Sequence, residues 1–431
     1  MREVTECMVY HNLAKEELLS DMLSLMKKLR KGSLKEEKGR ELYFSLIHRL
    51  VEMASDYGFY GNLWHAYLTF LLLNDENAFS LSCEVVGQVE GSINALAKED
   101  FSIFREYFDF DFIDLDCFFN TKAGRIISNY QGNKSKIFNA RIRDRICDLS
   151  KILAETASDE DFMQAMISFY KEVGVGKLGL HKAFRIEKDE KNKASIVPIT
   201  NIAHVHLDDL VGYEIAKKKL IENTEAFVNK RKANNCLLFG DAGTGKSSSI
   251  KAILNQYYSQ GLRVIEVYKH QFQDLNHVIG QIKNRNYRFI IYMDDLSFEE
   301  FEVEYKYLKA VIEGGLEKKP ENVLIYATSN RRHLIKETFA DKEGRRDQLH
   351  ASDTVQEKLS LVARFGVTIF FSSPSKKEFQ KIVKELARKN KIDLPLEELY
   401  MQANTWELSH GGLSGRTAQQ FIDYLSGKTR S

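Results

Sequence analysis

The eight residues Gly240-Asp-Ala-Gly-Thr-Gly-Lys-Ser247 constrain this chain more than any other feature. They follow the spacing G-x-x-x-x-G-K-[ST], in which glycines let backbone N–H groups turn inward around a polyphosphate. The flanks supply the context the motif needs. Cys236-Leu-Leu-Phe239 is a short apolar run that reads as a strand, and Ser248-Ser-Ile-Lys-Ala-Ile-Leu254 reads as the helix that follows. The helix N-terminus adds its partial positive charge to the amides of the loop. Gly240, Asp241, Ala242, Gly243, Thr244, Gly245 and Ser248 would wrap the phosphates. Lys246 would reach the β- and γ-phosphates, and the Ser247 hydroxyl would ligate Mg²⁺. The chain is expected to bind ATP or GTP.

Its 431 residues exceed what one hydrophobic core usually serves, so two or three domains are expected. Lys plus Arg number 62 against 61 for Asp plus Glu, a balance that does not push the chain toward nucleic acid or an anionic membrane. The five cysteines (7, 83, 117, 147 and 236) are scattered without a C-x-x-C pair, which reads as reduced thiols in a cytoplasmic protein. Met1-Arg-Glu-Val-Thr-Glu-Cys7 lacks the apolar core of a signal peptide. No apolar stretch reaches the length that spans a bilayer.

Residues 1–185 read as an all-helical domain. Leu18, Met22, Leu25, Met26 and Leu29 recur at helical spacing up to Gly32. Ser33 is then expected to cap a second helix that ends at Gly58. Further periodic stretches lie near 64–73, 93–107, 136–154 and 160–172. Residues 186–199, charged and without apolar periodicity, read as a linker. From 200 to 372, short β-rich runs at 236–240, 263–268, 289–293, 323–328 and 366–371 alternate with helical patterns, as in a parallel sheet covered by helices. Residues 373–431 return to helix.

Phe289-Ile-Ile-Tyr-Met293 is a continuous apolar run, expected of a parallel strand buried on both faces, and it ends in Asp294-Asp295. Carboxylates at that end of the strand land beside the phosphate loop. Asp294 is the candidate Walker B ligand of Mg²⁺, and Asp295 would polarise the attacking water. The plainer reading is a pair of aspartates capping the next helix. Val323-Leu-Ile-Tyr-Ala-Thr328 leads to Ser329-Asn330, whose neutral amide can hydrogen-bond both γ-phosphate and water; a turn asparagine is the alternative. Arg331, Arg332 and His333 follow, facing phosphate or solvent. Arg364 precedes the fifth strand and is placed to reach a neighbouring subunit's nucleotide. Arg416 opens the last helix and would fold a helical lid onto the bound one. An arginine supplied to a transferring phosphoryl group is worth about 10³–10⁵ in rate, whereas a surface ion pair is worth roughly 0–1 kcal/mol.

The order of these parts resembles that of the AAA+ ATPases: phosphate loop, Walker B acids, strand-end Asn, Arg-Phe before a fifth strand, then Gly-Arg on a helical lid. Leu207-Asp-Asp-Leu-Val-Gly-Tyr-Glu214 looks like the opening segment of that fold, in which the Val211 and Gly212 backbone would touch adenine. Within the superfamily, six stretches resemble one bacterial family, domain of unknown function 815. They are Asp208-Asp-Leu-Val-Gly-Tyr-Glu214, Ile221-Glu-Asn-Thr-Glu-Ala-Phe227, Asn234-Asn235, Asp294-Asp-Leu-Ser-Phe-Glu299, Tyr326-Ala-Thr-Ser-Asn-Arg-Arg-His333 and Ser414-Gly-Arg-Thr-Ala418. The resemblance covers residues 200–426 densely and the N-terminal region more weakly. It implies an ATPase, a five-stranded sheet of order 5-1-4-3-2 and a C-terminal helical lid. Asp295 departs from the wider superfamily, where the second Walker B acid is Glu. A longer hydrogen bond, help from Glu299, or slow, switch-like turnover would follow.

Other signals carry less. Leu408-Ser-His-Gly-Gly-Leu-Ser-Gly415 has the look of a transporter signature but lies on the wrong side of Walker B. Residues 108–116 alternate acid and apolar residues without the Gly and final Glu of a calcium loop, so a half-buried strand or a helix-leading segment fits better. Lys376, Lys377, Lys381, Lys384, Arg388, Lys389 and Lys391 are interrupted by Glu378 and Glu385 and read as a solvated face. Tyr268 and Phe272 fall where ring-shaped translocases carry a pore aromatic; core packing or loop anchoring is the reading preferred. The expected function is an oligomeric AAA+ ATPase hydrolysing ATP to remodel or switch a protein partner held by the N-terminal domain. The competing class is a nucleic-acid-associated loader or switch of the initiator type, which the charge balance does not favour.

Overall fold

The chain forms two units, Met1–His181 and Lys182–Ser431. The computed structural model describes residues 2–87, 90–132, 140–189, 192–298, 304–313, 319–330, 334 and 361–428. In the first unit the helical periodicity is realised in Glu17–Arg30, Glu36–Tyr57, Leu63–Asn74, Ser92–Phe108, Ala140–Ala154 and Asp159–Glu172, among others. Leu63–Asn74 is apolar nearly all round, and its buried residues, from Leu63 and Trp64 to Leu72 and Leu73, put it at the centre of the core. Asn62 starts it by accepting the N–H groups of Trp64 and His65. Fully buried Asp100 accepts the backbone N–H groups of Met8, Val9 and Tyr10 at 2.7–2.9 Å, fastening the N-terminal segment. Ser33 does not cap the second helix. Its N-cap is Lys35, without a side-chain bond, and the Ser33 hydroxyl donates back to Lys28 O. Left-handed Gly58 ends that helix. Residues 108–116 are a helix-leading segment, from the end of the helix Ser92–Phe108 into the helix Ile113–Phe119.

The second unit is built on one sheet: β1 (Ala183–Lys188), β2 (Ala194–Pro198), β3 (Cys236–Gly240), β4 (Leu262–Glu266), β5 (Arg288–Met293), β6 (Val323–Ser329) and β7 (Val367–Phe371). Their order is β2-β1-β4-β5-β6-β3-β7, so the expected five-stranded sheet is corrected to seven strands. The added pair is the segment expected as a linker. Residues 186–199 belong to an antiparallel hairpin, Phe184 opposite Pro198 and Lys188 opposite Ala194, and β1 runs parallel to β4. The first unit accordingly ends at His181, before the expected limit of 185. The hairpin was hidden because the outward residues of β1, Arg185, Glu187 and Lys188, are charged and mask its alternation.

Helices Lys376–Lys389, Leu396–Ser409 and Gly415–Lys428 form the lid around a small core of Phe379, Ile382, Val383, Leu399, Ala418 and Phe421. Ser375 and Glu378 start the first lid helix as a reciprocal capping box. The lysines of that helix are exposed, while Phe272 is buried and Tyr268 is 48% exposed.

Candidate nucleotide site

Parallel strands deliver their C-terminal ends to one side of a sheet, and the adjacent strands β5, β6 and β3 bring three chain ends together there. After β3 the chain turns at Gly240, whose φ is +135°. A Cβ at Gly240 would lie 2.0 Å from Phe371 O, so only glycine lets the loop start this close to β7. Gly245, at φ +92°, is the N-cap of the helix Lys246–Tyr257. The first N–H groups of a helix have no intrahelical acceptor.

Lys246 is buried, and its Nζ donates to Gly240 O at 2.9 Å, Asp241 O at 2.6 Å and Asn330 Oδ1 at 3.0 Å. Burial holds its ammonium below the ordinary lysine value, against the opposing pull of Asp241, Asp295 and Asp294. The register of β5 on β6 pairs Met293 with Ala327, which brings Asp294 beside Thr328. Asp294 Oδ1 accepts from Thr328 Oγ1 at 2.6 Å and from Ser247 Oγ at 2.7 Å. Burial alone would raise the Asp294 carboxyl, but the hydroxyls of Thr328 and Ser247 hold it below the usual carboxylate range. Asn330 Nδ2 donates to Asp295 Oδ1 at 2.8 Å while its Oδ1 accepts from Lys246. Both ends of the amide meet partners of fixed role, which sets its orientation. Lys246, Asn330 and Asp295 thus form one hydrogen-bonded chain.

These groups open on a cleft of about 660 Å³. Val211, Tyr213 and Lys217 line one side, Ala242 to Ser249 and Asp294, Asp295, Thr328 and Asn330 the floor, and Ile382, Leu386, Arg416, Gln419 and Gln420 the lid side. Arg416 N donates to Gly243 O at 3.1 Å, docking the last lid helix on the phosphate loop. Tyr213 packs its ring on Phe371, with centroids 5.4 Å apart, and burial pushes its hydroxyl up to about 12.

Most of the residues picked from the sequence meet in this cleft, and four do not. Gly240, Asp241 and Gly212 are absent from its wall: Gly240 and Gly212 shape turns, and the Asp241 carboxylate faces Ser373 instead. Arg364 lies outside the cleft and pairs with Glu313. Glu299 and residues 331–333 fall outside the described residues. Sequence reasoning missed Thr328, whose role appears only with the β5–β6 register. It also missed Gln419 and Gln420, which stand three and four residues after Arg416 and so share its helix face.

A magnesium ion fits the oxygen donors present. Ser247 Oγ and Asp294 Oδ1 stand together at the helix N-terminus, hard ligands of the kind Mg²⁺ takes. Among the described residues no cluster of three or more His, Cys, Asp or Glu side chains could hold a metal by itself. Mg²⁺ would therefore complete its shell with phosphate oxygens and water.

Sheet, phosphate loop and strand-end acids, with a helical lid over them, define an α/β protein with a P-loop. The chain belongs to the family described as protein of unknown function (DUF815), which matches residues 179–429. No curated protein matches it. Among solved structures it is similar to the Thermotoga maritima RuvB Holliday junction branch migration motor, at 17% identity and a TM-score of 0.35, over 51% of this chain and 63% of that one. It is also similar to the FIGL-1 AAA domain in complex with ADP, at 16% identity and a TM-score of 0.37, over 53% of this chain and 75% of that one. The chain thus spans less than two thirds of the RuvB structures. Likeness at this level bears on neither activity nor partner.

Proposed function

We propose that the chain is an ATPase that hydrolyses ATP to ADP and phosphate with Mg²⁺, working as an oligomer to remodel or switch a protein partner. The observation that carries this reading is the hydrogen-bonded chain Lys246–Asn330–Asp295, beside the Ser247–Asp294 pair, in a cleft bordered by Arg416. Lys246 and the loop amides would hold the β- and γ-phosphates, and the Val211 and Tyr213 side of the cleft would take the base. Asp295 would accept the proton of the attacking water, held in aim by Asn330. Arg416 would meet the developing charge from the lid. Mg²⁺, bound by Ser247 and Asp294, would supply charge neutralisation on the phosphates.

Arg364 lies outside the cleft of its own subunit, so its phosphate contact would be made with a neighbouring copy. The helical unit Met1–His181 would bind the partner. Solution mass and ATP hydrolysis of wild type, Lys246→Ala and Arg364→Ala test these points. Lys246→Ala should abolish nucleotide binding. Arg364→Ala should bind ATP normally and lose about 10³-fold or more in rate. Normal hydrolysis by Arg364→Ala, with specific activity independent of concentration, would rule out the arginine acting between subunits. Salt-sensitive binding of DNA would shift the reading to the loader class.

A further inference from the structure

Asp241 belongs to the phosphate loop, yet its polar groups reach three different parts of the fold. Its N–H donates to Phe371 O at 3.1 Å, at the end of β7. Its carbonyl accepts from Lys246 Nζ at 2.6 Å and from Thr244 Oγ1 at 2.8 Å. Its Oδ2 accepts both the N–H and the hydroxyl of Ser373, each at 2.8 Å. Ser373 sits in the short connection, residues 372–375, between β7 and the first lid helix. The last lid helix is fastened to the same loop through Arg416 N and Gly243 O. The loop is therefore bonded to the lid's hinge and to the start of its last helix, the first through a side chain and the second through backbone.

A carboxylate is a poor choice for a loop that receives a polyanion, because like charges repel. Its use here needs another reason, and the two donors of Ser373 provide one. We propose that Asp241 is a positioning residue that couples phosphate occupancy at Lys246 to the set of the helical lid through Ser373. The inference rests on reading the cleft as an ATP site. An ammonium has three protons, and in this structure Gly240 O, Asp241 O and Asn330 Oδ1 take all three. A phosphate can engage Lys246 only by displacing at least one of them. Where Asp241 O is the acceptor displaced, Asp241 keeps its bonds to Thr244 Oγ1 and Phe371 O but loses its tie to Lys246, and the hinge that its side chain holds, with the lid and Arg416, resets with it.

The test uses the full chain with Asp241→Ala, Asp241→Asn, Ser373→Ala and the double variant Asp241→Ala/Ser373→Ala. The measurements are kcat and KM for ATP with Mg²⁺, and hydrogen exchange of the lid amides with ADP against a non-hydrolysable ATP analogue. Asp241→Ala should lower kcat about tenfold, as misplacement of a catalytic group does, while KM holds or falls. It should also erase the difference in lid exchange between the two nucleotides. Asp241→Asn, which keeps an oxygen acceptor for Ser373, should recover part of kcat. The double variant should be no worse than Asp241→Ala alone, because Asp241→Ala already removes both bonds to Ser373, while Ser373→Ala removes only the hydroxyl's and should show a smaller loss. Wild-type kcat and lid exchange in Asp241→Ala, or additive losses in the double variant, overturn the proposal. If Asp241→Ala melts early, Asp241→Asn and Ser373→Ala decide it by the same two readouts. A wild type that neither binds nor hydrolyses ATP removes the ATP-site reading itself; an active wild type with an indifferent Asp241→Ala removes only the coupling.

Discussion

Thr328→Val replaces a hydroxyl by a methyl of nearly the same size at a position only 1% exposed, so what it removes is hydrogen bonding. Two bonds go. The first is the 2.6 Å donation to Asp294, a bond to a charged acceptor worth about 1.5–3 kcal/mol. The second is the 2.9 Å bond accepted from Asp295 N, whose loss leaves a backbone donor unpaired at about 1–3 kcal/mol. Asp294 keeps Ser247 as a donor, so the lower halves of these ranges apply, and the expected loss of stability is about 2–4 kcal/mol. Chemical denaturation followed by circular dichroism measures it, with Thr328→Ser as the control that keeps the hydroxyl. The same change acts on the chemistry. The Thr328 hydroxyl helps to hold the Asp294 carboxyl below its usual value, so removing it raises that value. The acid limb of the ATPase pH profile should move to higher pH, and the Mg²⁺ concentration for half-maximal rate should rise. Equal stability and equal pH profiles for Thr328→Val and wild type would show that the hydroxyl holds neither acid in place.

Gly240→Ala forces a Cβ to within 2.0 Å of Phe371 O at a φ of +135°. Strain and overpacking together predict a loss of about 2–5 kcal/mol, read as a drop of several degrees or more in melting temperature. At Asp209 the effect depends on pH. Its hydrogen bond to Lys389 holds its carboxyl below the ordinary value, so its stabilisation is present above the unfolded value of about 4 and is lost as pH falls through the lower folded value. Asp209→Asn should therefore make the acid side of the stability profile shallower. The loss near neutral pH should stay within about 1 kcal/mol, because the pair is partly solvated.

Strands buried on both faces were the legible part of the fold. Leu237, Leu238, Ile290, Ile291, Leu324 and Ile325 are all core, and an unbroken apolar run states this directly. The β1–β2 hairpin was not legible, because each of its strands buries mainly one face and the charged outer face of β1 reads as linker. The signal it did carry was alternation: Phe184 and Ile186, then Ala194 and Ile196, buried on either side of Asp189 and Asn192. In the site, motif spacing located the phosphate loop and both acids, since their roles are fixed by positions along one strand or loop. Thr328 and Ser373 were invisible for the opposite reason. Each matters through a partner on another element, reached by strand register in one case and by a hinge in the other.

The backbone at Asp295 favours the short acid over the Glu that the AAA+ resemblance implies. Asp295 N turns back to Thr328 Oγ1 and Leu296 N to Thr328 O, ending β5 in a tight turn against β6. That turn holds Asp295 at φ +49°, in the left-handed region. There the Cβ of an ordinary residue crowds the next carbonyl at about 1–2 kcal/mol, whereas the short side chains of Asp and Asn are tolerated best. The same turn sets the Asp295 carboxylate 2.8 Å from Asn330 Nδ2 without any further methylene. Asp295→Glu is therefore expected to lose about 1 kcal/mol of stability and to lower the ATPase rate, even though it restores the commoner acid. Asp295→Asn keeps the turn and should stay within about 0.5 kcal/mol of wild type, while losing about 10²–10⁴ in kcat if Asp295 is the base proposed above. Melting curves and steady-state rates on the two variants separate backbone from chemistry. An Asp295→Glu protein that is both as stable as wild type and faster would mean that the left-handed turn does not govern the choice of acid.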